Sequence, residues 1–396
     1  MNRELVPVDD ARRAVLDAVR PLPAETVALE DALGRVLAED VVSRADVPPF
    51  DSSAMDGFAL VAGDGGELRV VAESRAGRPA DRAVGPGEAI AISTGAQIPA
   101  GADAVIPVER VEASDGAVRV PEVATGANVR RAGEDVRSGE LVLRAGTALG
   151  PAELGVLASL GEAEVRCGGV PRVAVLVTGD ELVGPREQLG PGQIHDSNLH
   201  ALAALATRAG ARVVMRRHVP DERGATVDAL REALDQADVV CVSGGVSVGE
   251  HDHVKPALAE VGVEQSFWGV RLKPGKPAWF GTAGPELVFG LPGNPVSAMV
   301  TFILLARPAL RALTGADPSA TRASAVLAAA IRRNPDREQA IRCRLAVSDD
   351  GWHAEPTKQQ GSHILTSMLD ADALARISAG DGEAAAGERV QIELLR

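Results

Sequence analysis

Between residues 172 and 262, short apolar runs alternate with segments of helical periodicity. VAVLV at 173–177 and VVCV at 239–242 are unbroken apolar stretches of strand length, the pattern of strands buried on both faces of a parallel sheet. ARVVM at 211–215 reads as a further strand, with Val219-Pro220-Asp221-Glu222 at its exit. Helices are expected at about 198–209, capped by Ser197 or Asn198, and over TVDALREALDQ at 226–236. This alternation predicts a doubly wound parallel sheet. Beyond it, 287–290 is a strand, and LPGNPVS at 291–297 opens a helix through Leu313.

The flanking regions have other rhythms. Residues 9–20 place Ala11, Ala14, Val15, Ala18 and Val19 on one helical face, stopped by Pro21. Over 26–42 a short strand (TVAL), a helix (EDALGRVLAED) and an extended piece (VVS) are expected. From about 64 to 146 the segments LRVVAE, EAIAIST, DAVIPVE, AVRVPE and ELVLRAG alternate with Gly, Pro and Asp, an all-β lobe inserted in the chain. PAELGVLASLGE at 151–162 is a Pro-initiated helix ending at Gly161, and AEVRC returns as a strand. From about 319, SAVLAAAIRR, AIRCRLAV, GWHAEPT and RVQIELLR predict a small C-terminal β lobe.

Composition narrows the function. With 396 residues the chain is long enough for several domains. Its net charge of −14 argues against nucleic acid or an anionic membrane as partner. Cys167, Cys241 and Cys343 lie far apart with no C-x-x-C, so neither zinc nor a disulfide framework is indicated. MNRELVPVDDARR lacks the apolar core of a signal peptide, and no run of about 18 apolar residues appears that would span a membrane. A cytoplasmic protein is the expectation.

The candidate chemistry centres on DVVCVSGGVSVGEHDH at 238–253. Ser243, Gly244, Gly245, Val246, Ser247, Val248 and Gly249 form a loop between a strand and a helix expected to start near Glu250. Such a loop can cradle a phosphate on backbone N–H groups at a helix N-terminus. Local chemistry leaves a second reading open: plain turn residues, with Ser247 and Glu250 a capping box and Asp252 compensating the helix dipole. It is neither a Walker loop nor G-x-G-x-x-G. A phosphate ligand in so acidic a chain requires a local cationic site. Lys273 and Lys276 flank a Pro-Gly turn that can bring both ammonium groups together, and Pro292, Gly293, Asn294, Pro295 and Ser297 form a second small-residue turn at a helix start.

SGGVSVGEHD resembles the signature of the molybdopterin-binding domain shared by molybdopterin adenylyltransferases, molybdenumtransferases and nicotinamide-nucleotide amidohydrolase relatives. Five further elements resemble the molybdopterin molybdenumtransferase family, which includes the gephyrin E domain: DSSAMDGFA at 51–59, TGAQIP at 94–99, NVRRAGED at 128–135, KPGKP at 273–277 and LPGNPVSA at 291–298. GSHILTS at 361–367 resembles its G-S-x-x-L-x-S segment, although Ala371-Asp372-Ala373-Leu374 departs from the family's glycine-containing loop.

The resemblance implies an α/β multidomain protein: a central doubly wound molybdopterin-binding domain (1–20 plus 171–318), an inserted β-rich lobe (44–140), a linker and dimerisation domain (21–43 plus 141–170) and a C-terminal β-barrel-like domain (319–396). It implies insertion of molybdenum from molybdate into adenylated molybdopterin, with Mg²⁺-dependent cleavage of the adenylate and release of AMP. Family functional positions fall on Asp56, Thr94, Asp135, Glu181, Asp221, Asp252, Lys273 and Lys276. Glu181 and Asp252 would act around the metal; Lys273, Lys276, Ser297, Arg342 and Ser362 would receive molybdate. An elongated homodimer is implied, its β lobe supplying Asp56, Thr94 and Asp135 to the partner's site. Adenylyltransferases and molybdoenzymes are the implied protein partners. A non-catalytic molybdopterin-binding scaffold and an adenylyltransferase-type relative are the alternatives.

Overall fold

The computed structural model describes residues 4–63, 65–246 and 253–395. Its central sheet has six strands in the order Arg212–Val219, Arg172–Thr178, Val239–Ser243, Glu286–Leu291, Trp279–Ala283 and Glu264–Trp268. The first four run parallel, and Trp279–Ala283 runs against both neighbours. Side chains alternate between two buried faces, which is why the strands read as unbroken apolar runs. Val173, Val175, Cys241 and Phe289 face one core, with Leu202 of the helix Asn198–Arg208 and Ala11 of the helix Val8–Ala18. Ala174, Leu176, Val240 and Val288 face the other, under Leu230 of Arg223–Gln236 and Leu258 of Val254–Glu260. The sheet is doubly wound.

The helix Pro295–Leu313, with a π-helical stretch at Phe302–Ala306, is 19 residues long and apolar enough by composition to cross a membrane. Of its most apolar window, 78% is buried inside the protein, so it is the central core helix of the α/β domain. A helix through Leu313 was expected here from the sequence; Arg307 and Arg311 break its apolar run, and Arg307 stays largely buried on Glu393.

The β lobe is a six-stranded sheet ordered Ala104–Pro107, Gly57–Leu60, Glu88–Ile92, Gly66–Ser74, Ala117–Val120 and Glu112–Ser114. Asp56-Gly57, a turn by local chemistry, is instead where an inner strand begins. A Cβ at Gly57 would lie 1.9 Å from the Ile106 carbonyl oxygen, so only glycine admits this pairing. Leu141–Leu143, expected in the same lobe, pairs outside that sheet with Val41–Val42. The helix expected over EDALGRVLAED does not form. Only the turn Leu29–Asp31 is helical, Gly34 sits at φ 76°, and the amides of Gly34, Leu37 and Ala38 donate to carbonyls of Leu149, Thr147 and Arg166. Non-local pairing outweighs weak helix propensity.

Five C-terminal strands close into a ring: Glu338–Ser348, Gly351–Pro356, Arg322–Leu327, Arg389–Leu394 and Ala373–Ile377, which pairs back to the first. The last-named strand supplies the regular structure that a departing loop pattern at 371–374 had obscured. Two features dock this barrel on the α/β domain. Leu272–Lys273 adds to it in parallel beside Glu338 and Gln339. Glu393, fully buried, holds Arg12 at 2.5 Å, Arg307 at 3.0 Å and Arg322 at 3.3 Å.

Candidate active site

In chain order the parallel strands sit 2-1-3, so the winding reverses between Arg172–Thr178 and Val239–Ser243, and a crevice opens at their C-terminal ends. A cavity of about 770 Å³ occupies it. Its wall contains Glu181, Asp221, Ser243, Gly244, Gly245 and Val246, and also Pro292, Gly293, Asn294, Pro295 and Ser297. The two small-residue turns therefore meet. The buried Ser243 hydroxyl donates to the Pro292 carbonyl at 3.1 Å, and the Gly244 amide donates to the Leu291 carbonyl at 3.2 Å. Gly244 and Gly245 have φ of 94° and 61°, and a Cβ on Gly244 would lie 2.5 Å from the Thr178 carbonyl oxygen. Ser247, Gly249, Glu250 and Asp252 lie outside the described residues. The second turn is less open to an anion than its sequence suggests: Pro295 has no N–H, and the Val296 amide donates to the Ser362 carbonyl at 3.2 Å.

A second cavity, about 490 Å³, adjoins the first and shares Ser297 and Pro277 with it. It brings together Lys273, Lys276, Ser297, Arg342 and Ser362, all five positions picked out for molybdate, and adds Arg337. Its wall thus carries four cations and no carboxylate among the described residues. Here is the local cationic site that an acidic chain with an anionic ligand requires. Arg342 is 1% exposed, and its guanidinium donates to the Ser367 hydroxyl and the carbonyls of Gln359 and Gly361, each at 3.3 Å. No carboxylate pairs with it among the described residues. Burial pushes its pKa below the ordinary arginine value. A buried, hydrogen-bonded cation without a counterion is costly, and an anionic ligand offsets that cost. Arg337 has no sequence signal; the pairing of Glu338 and Gln339 with Leu272–Lys273 brings it there.

Asp56, Thr94 and Asp135 line neither cavity. All three are exposed on the β lobe, where their motifs converge on the short strand Ser52–Ser53. Val129–Arg130 pairs with that strand, the Gly95 amide donates to the Ser53 carbonyl, and Arg131 pairs with Asp51 at 2.6 Å. Asp56 accepts from the Thr94 amide at 2.6 Å and hydroxyl at 3.0 Å, and these bonds hold its pKa below the ordinary carboxylate value. Within one chain, these three positions are not brought to either cavity.

The carboxylates of the first cavity suit a hard divalent cation. Glu181 and Asp221 follow the ends of the strands Arg172–Thr178 and Arg212–Val219, and neither pairs with a cation among the described residues. Asp180 and Asp221 hold their loops together through mutual amide–carboxylate bonds of 3.0 and 3.3 Å. No cluster of three or more ligating side chains exists among the described residues. The expected cap of the helix Asn198–Arg208 is corrected: neither Ser197 nor Asn198 caps it, and Asp196 Oδ1 accepts the amides of Asn198 and Leu199 at 2.8 and 3.1 Å. Asp196, Asn198 and Thr178 also line the cavity, and none of the three was expected as a site residue.

A doubly wound domain with this crevice is the scaffold described as "Probable molybdopterin binding domain", whose family model matches residues 174–312. The models of the "MoeA N-terminal region (domain I and II)" and "MoeA C-terminal region (domain IV)" match residues 6–161 and 324–395. A molybdopterin molybdenumtransferase of Haemophilus influenzae is 38% identical, the match covering 98% of both chains. One of Bacillus subtilis is 33% identical over 100% of this chain and 95% of its own. The crystal structure of a molybdopterin biosynthesis moeA protein from Pyrococcus horikoshii OT3 superposes with a TM-score of 0.84 at 33% identity, covering 99% of this chain and 100% of that one. The chain belongs to the molybdopterin molybdenumtransferase family, a family of transferases.

Proposed function

We propose that the protein inserts molybdenum from molybdate into adenylated molybdopterin, cleaving the adenylate and releasing AMP. The observation that carries this reading is the pairing of two adjoining cavities of opposite character. One has carboxylates and glycine-loop backbone; the other has Lys273, Lys276, Arg337 and Arg342 with the hydroxyls of Ser297 and Ser362. A tetrahedral dianion matches the second, where the cations balance its charge and the hydroxyls donate to its oxygens. The pterin phosphate and adenylate match the first, and the shared wall at Ser297 sets molybdate next to the dithiolene it must meet.

Glu181, Asp221 and Asp252 would hold Mg²⁺, which when bound supplies charge neutralisation at the phosphoanhydride. The chain's own groups orient the substrates and exclude bulk water at the junction. Asp56, Thr94 and Asp135 reach the site from the β lobe of a second copy, with 21–43 plus 141–170 as the dimerisation region. The three free, buried cysteines suit a reducing cytoplasm, where a molybdopterin adenylyltransferase would supply the substrate and molybdoenzymes would take the product.

The test supplies purified protein with adenylated molybdopterin, molybdate and Mg²⁺, and reads AMP release together with activation of a cofactor-free molybdoenzyme. Both should appear together and fail with Asp252→Ala. Binding without turnover would indicate a scaffold, and synthesis of adenylated pterin from ATP would indicate an adenylyltransferase.

A further inference from the structure

The wall of the larger cavity holds a polar cluster that neither phosphate binding nor metal binding uses. Asp196 and Asn198 are 8% and 6% exposed. Asp196 commits Oδ1 to the helix amides, and its Oδ2 finds no donor among the described residues. Asn198 donates through Nδ2 to the Ser243 hydroxyl at 2.9 Å and to the Gly293 carbonyl at 2.7 Å. Those bonds fix the amide orientation, because a flip would set its oxygen against the Gly293 carbonyl. Its Oδ1 is therefore an acceptor, and it too has no partner among the described residues. Two buried acceptors, one of them anionic, stand two residues apart with no lysine or arginine among the described residues of the cavity wall. Buried acceptors left unsatisfied are costly, so this pair calls for donors from a ligand.

The charge selects the ligand edge. A phosphate or molybdate oxygen is repelled by Asp196. A planar edge with adjacent N–H donors is what a carboxylate binds best, as it binds a guanidinium. Of the two heterocycles in the proposed substrate, the pterin offers such an edge in its N3–H and 2-amino group. Adenine offers one amino group beside ring acceptors.

We propose that Asp196 and Asn198 recognise the aminopyrimidinone edge of the pterin and so place its dithiolene side chain toward the cationic cavity. This rests on the function proposed above. Asp196 and Asn198 would then act as specificity and positioning residues. The Asp196→Asn variant tests it, because an asparagine oxygen still caps the helix while the anionic acceptor is lost.

Full-length wild type and variant are titrated separately with adenylated molybdopterin, AMP and molybdate. The variant should bind adenylated molybdopterin at least tenfold more weakly and bind AMP and molybdate within twofold of wild type. Independently of any variant, wild type should bind 6-carboxypterin at least tenfold more tightly than 6-carboxylumazine, whose 2-oxo group replaces the amino donor. Asp196→Asn should erase that preference. Equal affinity of wild type for the two compounds would overturn the proposal, as would an unchanged preference in the variant. A loss confined to AMP would assign the cluster to adenine and overturn it as well. Wild type that binds no pterin compound at all would remove the proposed function together with this subsite, whereas wild type that turns over without pterin–lumazine discrimination would remove the subsite alone.

Discussion

The Val296 amide, in the first turn of the core helix, donates to the carbonyl of Ser362 on the barrel at 3.2 Å. This bond ties the two cavities to each other. Ser297 and Ser362 stand in the wall of the cationic cavity, while His363, the next residue on the barrel segment, stands in the wall of the larger one. The barrel is thus a wall of the site, and disturbing its docking should disturb chemistry as well as stability.

Arg342 gives the direct test of the cationic cavity. Its guanidinium is buried and held by three acceptors, so Arg342→Lys keeps the charge and loses the planar fork. The molybdate concentration for half-maximal activity should rise about tenfold or more, roughly the loss of one charge-assisted hydrogen bond. The affinity for AMP should stay unchanged. Steady-state kinetics with varied molybdate, alongside AMP titration calorimetry, checks both.

How much of this was legible depends on the range of the interaction. The strands at 173–177 and 239–242 were readable because burial on both faces writes an unbroken apolar run. The molybdate set Lys273, Lys276, Ser297, Arg342 and Ser362 came from motif resemblance and converges in the fold. Arg337 and the Asp196–Asn198 acceptors were not legible, because their placement arises from the pairing of 338–339 with 272–273 and from partners at 243 and 293, distant in sequence. The helix misread over EDALGRVLAED failed for the same reason: its amides pair with residues more than a hundred positions away.

Glu393 should govern acid stability. Burial alone would raise its pKa, but the charges and hydrogen bonds of Arg12 and Arg307 and the Thr321 hydroxyl outweigh burial and lower it. A depressed folded-state value means stability that is fully present above the ordinary glutamate pKa of about 4.3 and is lost as pH falls through the lower folded value. Glu393→Gln leaves Arg12, Arg307 and Arg322 without their shared counterion, at a cost of about 3–5 kcal/mol. Guanidinium melts at pH 7 and pH 3 should show a large loss for the variant at pH 7 and a smaller difference at pH 3. Equal midpoints at pH 7 would show that the cluster holds nothing together.

Gly57 should be intolerant of any side chain. The Ile106 carbonyl oxygen would sit 1.9 Å from a new Cβ, and both belong to paired backbone that cannot shift without breaking the ladder. Gly57→Ala should destabilise the β lobe by on the order of 3–5 kcal/mol. Hydrogen exchange would show it as faster exchange at 57–60 and 104–107, with protection at 173–177 retained.

The separation of Asp56 from both cavities yields the sharpest prediction. Asp56, Thr94 and Asp135 are exposed on the β lobe, and none of them lines the cavity that holds Lys273 and Lys276. A site completed across a two-fold axis contains the β lobe of one copy and the lysines of the other. Asp56→Ala and Lys273→Ala homodimers should each be inactive. In their mixed dimer, one site carries both substitutions and the other carries neither. Half of a randomly reassorted population is mixed, so activity should return to about a quarter of wild type. Co-expression with two affinity tags isolates the mixed species, whose activity should then be about half of wild type. A mixed dimer as inactive as its parents would place the β-lobe aspartate in its own chain's site or outside catalysis. Recovery to half would require Asp56 to act on the partner's substrate, with the Thr94 amide and hydroxyl holding its carboxylate ionised and in position.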